Sequence, residues 1–216
     1  MKSKVCGLKY PENIKQIIQL QPDYIGFIFY KHSKRNIELN NLESIVIDIP
    51  ETIKKVGVFV NESVEYVIEK HEKYKLDYIQ LHGDENIDYC RQLQNHSINI
   101  IKAFSVDDEF DFDISLPYSK YCNYFLFDTK SNYRGGNGIS FNWEILNKYT
   151  GTTSFFLSGG IGIENLDEAL SIKHKKIEAI DLNSKLETSI GLKDIELTKN
   201  CINKITNKKN HEHTTK

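Results

Sequence analysis

Short apolar runs alternate with helix-patterned segments eight times along this chain, and that alternation constrains the fold more than any other feature. The runs cover residues 5–6, 24–29, 56–60, 78–81, 99–104, 124–127, 154–157 and 178–182. They recur about every 20 to 30 residues, the length of one strand–helix unit. An apolar run of this length, closed by glycine or an acid and followed by a helical pattern, reads as a buried parallel strand feeding a helix. Eight such units predict an α/β fold, a single (β/α)8 TIM barrel, with an open doubly wound sheet as the alternative. With 216 residues and no internal repeat or linker, the chain reads as one barrel domain over residues 1–206. Residues 207–216 are polar, lack periodicity and read as a frayed tail.

The segments between the runs carry helix punctuation. Pro11 fits a first helical turn ahead of Ile14, Ile17 and Ile18. Asn61 or Ser63 can cap the helix holding Val64, Val67 and Ile68, Asp84 precedes the one holding Ile87, Cys90 and Leu93, and Glu164 or Asn165 opens another. Asp194 can cap the last helix. The connection over residues 105–123 is the least regular, and Pro117 interrupts any long helix there.

Composition removes several function classes. A formal net charge of -2 with scattered Lys and Arg excludes a polycationic nucleic-acid binder. The one basic cluster, residues 173–176, reads as a solvated helix end. No apolar stretch approaches the ~20 residues that span a bilayer, and the start of the chain lacks the apolar core of a signal peptide. Cys6, Cys90, Cys122 and Cys201 are far apart with no Cys-x-x-Cys pair, which argues against a zinc ribbon and for free thiols in a reducing cytoplasm.

In a parallel barrel, functional groups sit at the carboxyl ends of the strands. Reading those ends in order gives Cys6-Gly7, Ser33-Lys34-Arg35, Val60-Asn61, Gln80-Leu81-His82-Gly83, Lys102-Ala103, Asp128, Ser158-Gly159-Gly160 and Asp181-Leu182-Asn183-Ser184. A thiol, two acids, a guanidinium and two loops rich in glycine or serine converge on one mouth if the barrel closes. Free backbone N–H groups in such loops suit a phosphate dianion. On the residues alone Cys6 reads first as core packing, Asp128 as a turn residue or cap, and Lys102 as either a structural or a site residue. His82 reads as orienting or structural more readily than as a proton shuttle.

Seven segments in register resemble the phosphoribosylanthranilate isomerase family of tryptophan biosynthesis. They are Lys4-Val5-Cys6-Gly7-Leu8, Gly26-Phe27-Ile28-Phe29 with Ser33-x-Arg35, and Val56-Gly57-Val58-Phe59-Val60, followed by Gln80-Leu81-His82-Gly83 and Phe127-Asp128-Thr129-Lys130. Gly135-Gly136-x-Gly138 with Phe141-x-Trp143, and Ser158-Gly159-Gly160-Ile161, complete the set. The resemblance implies an Amadori rearrangement of N-(5-phosphoribosyl)anthranilate by general acid–base catalysis, with no metal and no organic cofactor. It implies Cys6 as base and Asp128 as acid. The base needs surroundings that favour its thiolate, and the acid needs desolvation, for which Phe127 is a candidate flank. Arg35 is implied to hold the anthranilate carboxylate and Asp181 to lie near the substrate, with His82 beside them. The N–H groups of Gly159, Gly160, Asn183 and Ser184 are implied to take the phosphate, with Gly136 and Gly138 shaping the loop above.

Two departures touch the phosphate end. Asn183-Ser184-Lys185 stands where the family has two serines then glycine, with strain expected at Lys185 if its φ is positive, and Asn137 stands where threonine is common. The implied partner is a small-molecule substrate, with no nucleic acid and no membrane, and the chain is expected as monomer or homodimer. Competing readings are another phosphate-binding barrel enzyme, such as an indole-glycerol-phosphate synthase or a pentose-phosphate epimerase, or a non-catalytic sugar-phosphate-binding module. The synthase needs a catalytic Lys where this chain has Cys6, the epimerase several metal-binding His and Asp, and the module has no use for Cys6 and Asp128 together.

Overall fold

The computed structural model describes residues 1–40, 42–129 and 142–214. Eight parallel strands close into a barrel in sequence order: β1 (Lys2–Cys6), β2 (Tyr24–Ile28), β3 (Lys54–Phe59), β4 (Tyr78–Leu81), β5 (Ile100–Val106), β6 (Tyr124–Thr129), β7 (Phe155–Leu157) and β8 (Ile177–Leu182). β1 closes the ring by pairing with both β2 and β8, with Cys6 opposite Gly26 and Lys4 opposite Asp181. The closed barrel, not the open sheet, is therefore the architecture.

Helices α1 (Pro11–Gln19), α2 (Glu43–Ile47), α3 (Val64–Tyr74), α4 (Ile87–Asn95), α5 (Leu166–Ser171) and α6 (Ile195–Thr214) connect and close the units. The connections after β5 and β6 carry 3-10 turns instead, Phe112–Lys120 and Trp143–Lys148. Pro117 inside the first of these removes a backbone donor and keeps it from relaxing to an α-helix. Pro11 occupies the first turn of α1, Ser63 Oγ accepts from Tyr66 N, and Asp194 Oδ1 accepts from Leu197 N. The α4 cap is Asn86 and not Asp84. Asn165 opens α5 without capping it, because its side chain is bonded to Gly160 O and Gly162 N. The helical backbone of α6 runs on to Thr214, through most of the segment that reads as a frayed tail. After β8 a short antiparallel hairpin, β9 (Glu187–Ser189) and β10 (Leu192–Lys193), folds over the barrel mouth. Among the described residues no helix is long and apolar enough to cross a membrane.

Alternation along each strand sorts side chains into two cores. Val56, Ile101, Leu126, Phe156 and Ala179 point into the barrel. Below them the Tyr24 and Tyr78 rings meet edge to face, Tyr78 and Tyr124 meet at a tilt, and Tyr24 reaches Glu178. Outward-facing Val5, Ile25, Phe27, Phe125, Phe127 and Phe155 belong to the larger cluster under the helices. The Phe127 ring is fully buried there, with centroids 5.1, 5.3 and 4.8 Å from those of Phe112, Tyr149 and Phe155. Removing a buried aromatic ring leaves a cavity and costs ~3–5 kcal/mol. Phe127→Ala is expected to lower the urea midpoint accordingly, whereas a loss within ~0.5 kcal/mol, typical of surface substitutions, would contradict this packing.

Candidate active site

The carboxyl ends of the strands open into a cavity of about 1750 Å³. Cys6, Arg35, His82, Asp128, Gly159, Gly160, Asp181, Asn183 and Ser184 all line it. Gly136 and Gly138, with Asn137 between them, lie outside the described residues.

Cys6 ends β1, and its thiol fits because the opposite residue is glycine. A Cβ on Gly26 would come within 2.6 Å of Cys6 Sγ. The thiol is buried. Burial pushes its pKa up and Asp181 adds to this, while Lys4 and Lys193 pull it down, and the net direction is upward. The surroundings thus do not favour the thiolate as expected from the sequence, because burial outweighs both ammonium groups.

Lys4, two residues earlier on the same inward face, is fully buried. Its Nζ donates to Asp181 Oδ1 at 2.9 Å and to Gln80 Oε1 at 2.8 Å. Burial opposes its charge, yet Asp181 and Cys6 hold its pKa above the ordinary lysine value. For Asp181, burial raises the carboxyl pKa and Lys4 opposes that rise. The second Asp181 oxygen receives a long hydrogen bond from Ser158 Oγ, 3.5 Å.

Asp128 projects inward from β6, two residues beyond Leu126. Its Oδ2 lies 3.3 Å from His82 Nε2, and both side chains are about a third exposed, 28% and 32%. His82 Nδ1 is in turn 2.8 Å from Gln80 Nε2. Phe127 does not flank this carboxylate. Strand alternation sends its ring into the outer aromatic layer, so the desolvating wall expected from the sequence is absent. Lys102 lines the cavity as well, and its Nζ donates to Gly83 O at 2.7 Å and to Glu85 Oε2 at 3.1 Å, tying down the loop that follows His82.

Arg35 lines the far side of the mouth. Ser33 Oγ accepts from Arg35 N, which explains the Ser33-x-Arg35 spacing as a local turn. The guanidinium is already forked. Its Nε donates to Glu187 Oε1 at 2.8 Å and its Nη2 to Glu187 Oε2 at 2.6 Å. Lys193 Nζ shares the same carboxylate at 2.8 Å and also holds Asn183 O and Oδ1. The Asn183 side-chain oxygen is thereby committed inside the protein.

Gly159 and Gly160 adopt φ values of +98° and +65°, which only glycine takes at little cost. Neither N–H is given to another described residue. Lys185 is not among the residues with positive φ, so the expected strain there does not arise. Its side chain lies against Gly162 instead. Lys4, Gln80, Glu187 and Lys193 were not read as site residues from the sequence. For Lys4 and Gln80 a signal existed in strand parity, since they share the inward faces of Cys6 and His82. The hairpin residues gave none.

These positions make the chain a (β/α)8-barrel enzyme equipped for acid–base chemistry. Residues 3–204 match the family model described as N-(5'-phosphoribosyl)anthranilate isomerase. The N-(5'-phosphoribosyl)anthranilate isomerase of Parabacteroides distasonis is 45% identical over 203 residues, covering 94% of this chain and 92% of that one. A crystal structure of phosphoribosyl anthranilate isomerase from Thermotoga maritima superposes with a TM-score of 0.87 at 32% identity, covering 96% of this chain and 99% of the other. Another, in complex with reduced 1-(o-carboxyphenylamino)-1-deoxyribulose 5-phosphate, gives a TM-score of 0.83 at 31% identity with the same coverage. The chain belongs to the N-(5'-phosphoribosyl)anthranilate isomerase family.

The Arg35–Glu187–Lys193 cluster has a pH signature. Burial raises the Glu187 pKa, but Arg35 and Lys193 outweigh it and hold the carboxyl below its usual range. A depressed folded-state pKa contributes stability above the unfolded value of ~4.3, and that contribution is lost as pH falls through the folded value. Glu187→Gln is therefore expected to flatten the acid limb of stability against pH, measured by urea unfolding at stepped pH. An unchanged slope would show that Glu187 does not carry it.

Proposed function

We propose that the chain converts N-(5-phosphoribosyl)anthranilate into 1-(2-carboxyphenylamino)-1-deoxyribulose 5-phosphate in tryptophan biosynthesis, with Cys6 as general base and Asp128 as general acid. The observation that carries this reading is that the thiol at the end of β1 and the carboxyl group on β6 open into one cavity. Asp128 gives a proton to the ribose ring oxygen. The ring opens to an iminium, which acidifies the sugar's second carbon. Cys6, as thiolate, takes the proton from that carbon. The resulting enolamine tautomerises to the ketone. One acid and one base on either side of the sugar account for every proton moved.

The two ammonium groups that pull the thiol pKa down, Lys4 and Lys193, are also the counter-charges for the thiolate. Because the base acts as its thiolate, kcat/KM is expected to rise with pH on the limb governed by the thiol, and the upward shift of Cys6 moves that limb toward higher pH. A limb that falls with rising pH over the same range would exclude a thiolate base.

Arg35 presents its Nε–Nη2 edge to Glu187, which leaves Nη1 for the substrate's aromatic carboxylate. Glu187 thus orients the fork as well as neutralising it. Arg35→Ala is expected to raise KM by one to two powers of ten, corresponding to ~1.5–3 kcal/mol of charged hydrogen bonding. The glycine N–H groups of the loop after β7, with Ser184 after β8, are suited to the phosphate. Four free, buried cysteines fit a reducing cytoplasm.

Cys6→Ser and Asp128→Asn are each expected to lower kcat by ~10²–10⁴, followed by loss of substrate fluorescence. Binding of the reduced product analogue, measured by calorimetry, should change little. Near-normal turnover in either variant would refute that residue's role.

A further inference from the structure

A buried hydrogen bond from Lys4 to Gln80, a partly buried one between Gln80 and His82 and a 3.3 Å contact from His82 to Asp128 form one line, and their donor and acceptor logic permits one arrangement of protons. We propose that Gln80, pinned by Lys4, is a positioning residue that fixes His82 as the neutral Nε2–H tautomer and so dictates which oxygen of Asp128 carries the transferable proton. The proposal rests on Asp128 being the acid; the state of the His82 ring can be tested without that premise.

An ammonium group only donates. The Gln80 amide atom 2.8 Å from Lys4 Nζ must therefore be the carbonyl oxygen. The reverse orientation would set an NH2 group against a charged donor inside the barrel, where Lys4 is fully buried and Gln80 is 2% exposed. The other amide atom is then the NH2 group, and it faces His82 Nδ1 at 2.8 Å. Nδ1 must accept, so it bears no proton. The neutral ring keeps its single proton on Nε2, which faces Asp128 Oδ2 at 3.3 Å.

A second ring proton on Nδ1 would meet the Gln80 NH2 head-on. His82 therefore does not carry protons through Nδ1. Its Nε2–H occupies Oδ2, and the acidic proton of Asp128 is left to Oδ1. As Asp128 gives that proton away, the contact from Nε2–H to Oδ2 becomes a charge-assisted hydrogen bond. It thus favours the transition state over the ground state, and no charge is placed on the ring. The remaining Lys4 donors face Asp181 and the Cys6 thiol, so one ammonium group orders both the base side and the acid side of the mouth.

The test is ¹⁵N NMR of protein labelled at histidine, with His82 assigned by its disappearance in His82→Asn. The wild type at neutral pH is expected to show an unprotonated Nδ1 and a protonated Nε2. An Nδ1–H ring, or a fast average of both tautomers, overturns the proposal. Gln80→Glu keeps the shape but offers an acceptor to Nδ1, and an Nδ1–H signal should then appear. Its kcat should fall about 10- to 100-fold, the scale of one lost charge-assisted bond, with KM moving less than about threefold. Gln80→Met removes both amide contacts and is expected to give a tautomer mixture with a similar loss, which guards against misfolding of the glutamate variant. Altered tautomers with wild-type kcat in either variant overturn the positioning role. If Asp128→Asn kept its turnover, the acid assignment would fail, while the wild-type ring signature would still decide the tautomer.

Discussion

A lysine ammonium group sits where a barrel of this kind usually packs an aliphatic side chain. Lys4 is fully buried, and removing water from its charge is costly unless every donor finds an acceptor. Asp181, Gln80 and Cys6 meet that need. The three come from β8, β4 and β1, so the charge ties together strands that are remote in sequence. Removing one partner of such a pair typically costs 3–5 kcal/mol, because the other charge is left stranded. The same demand sets the chemistry. Lys4 holds down the pKa of a thiol that burial would otherwise raise further, and it fixes the amide that faces His82.

The second organising cluster lies above the carboxyl end of β1, between the connections that follow β2 and β8. Arg35 reaches the mouth from the loop after β2, and Glu187 and Lys193 reach it from the hairpin after β8. Burying one carboxylate between two cations makes the hairpin a clamp on the guanidinium. The edge left free is the edge a planar carboxylate can use. Asn183 is drawn into this cluster through Lys193, which takes its carbonyl and side-chain oxygens.

Most strand positions were legible to within a few residues, and the strands cut short at β1 and β6 share one cause. β1 starts at Lys2, whereas the apolar run begins only at Val5, because Lys2 and Lys4 face inward as polar residues. A search for apolar runs cuts such a strand short. β6 continues past Phe127 to Thr129 for the same reason, since Asp128 is an inward residue of the strand and not its end. The 3-10 turn around Pro117 was visible as an interruption, because proline acts locally. Ahead of α4 the sequence marks only an acid, Asp84, and the cap is Asn86, whose Oδ1 accepts from Tyr89 N.

The site divides along the same line. Cys6, Asp128, His82 and Asp181 could be placed at strand ends by parity and spacing, which are local properties of a chain. Their partners could not. The Lys4 bonds span 76 residues to Gln80 and 177 to Asp181, and the Arg35 fork spans 152 to Glu187. Such distances are set by barrel closure and by the register of β1 against β8, quantities to which no single segment contributes alone. The sequence by itself determined the order of units and which chemical groups face the mouth. Only the closed barrel decided which of those groups share a proton or a charge, because hydrogen bonding falls away within an ångström and only tertiary packing fixes positions that finely.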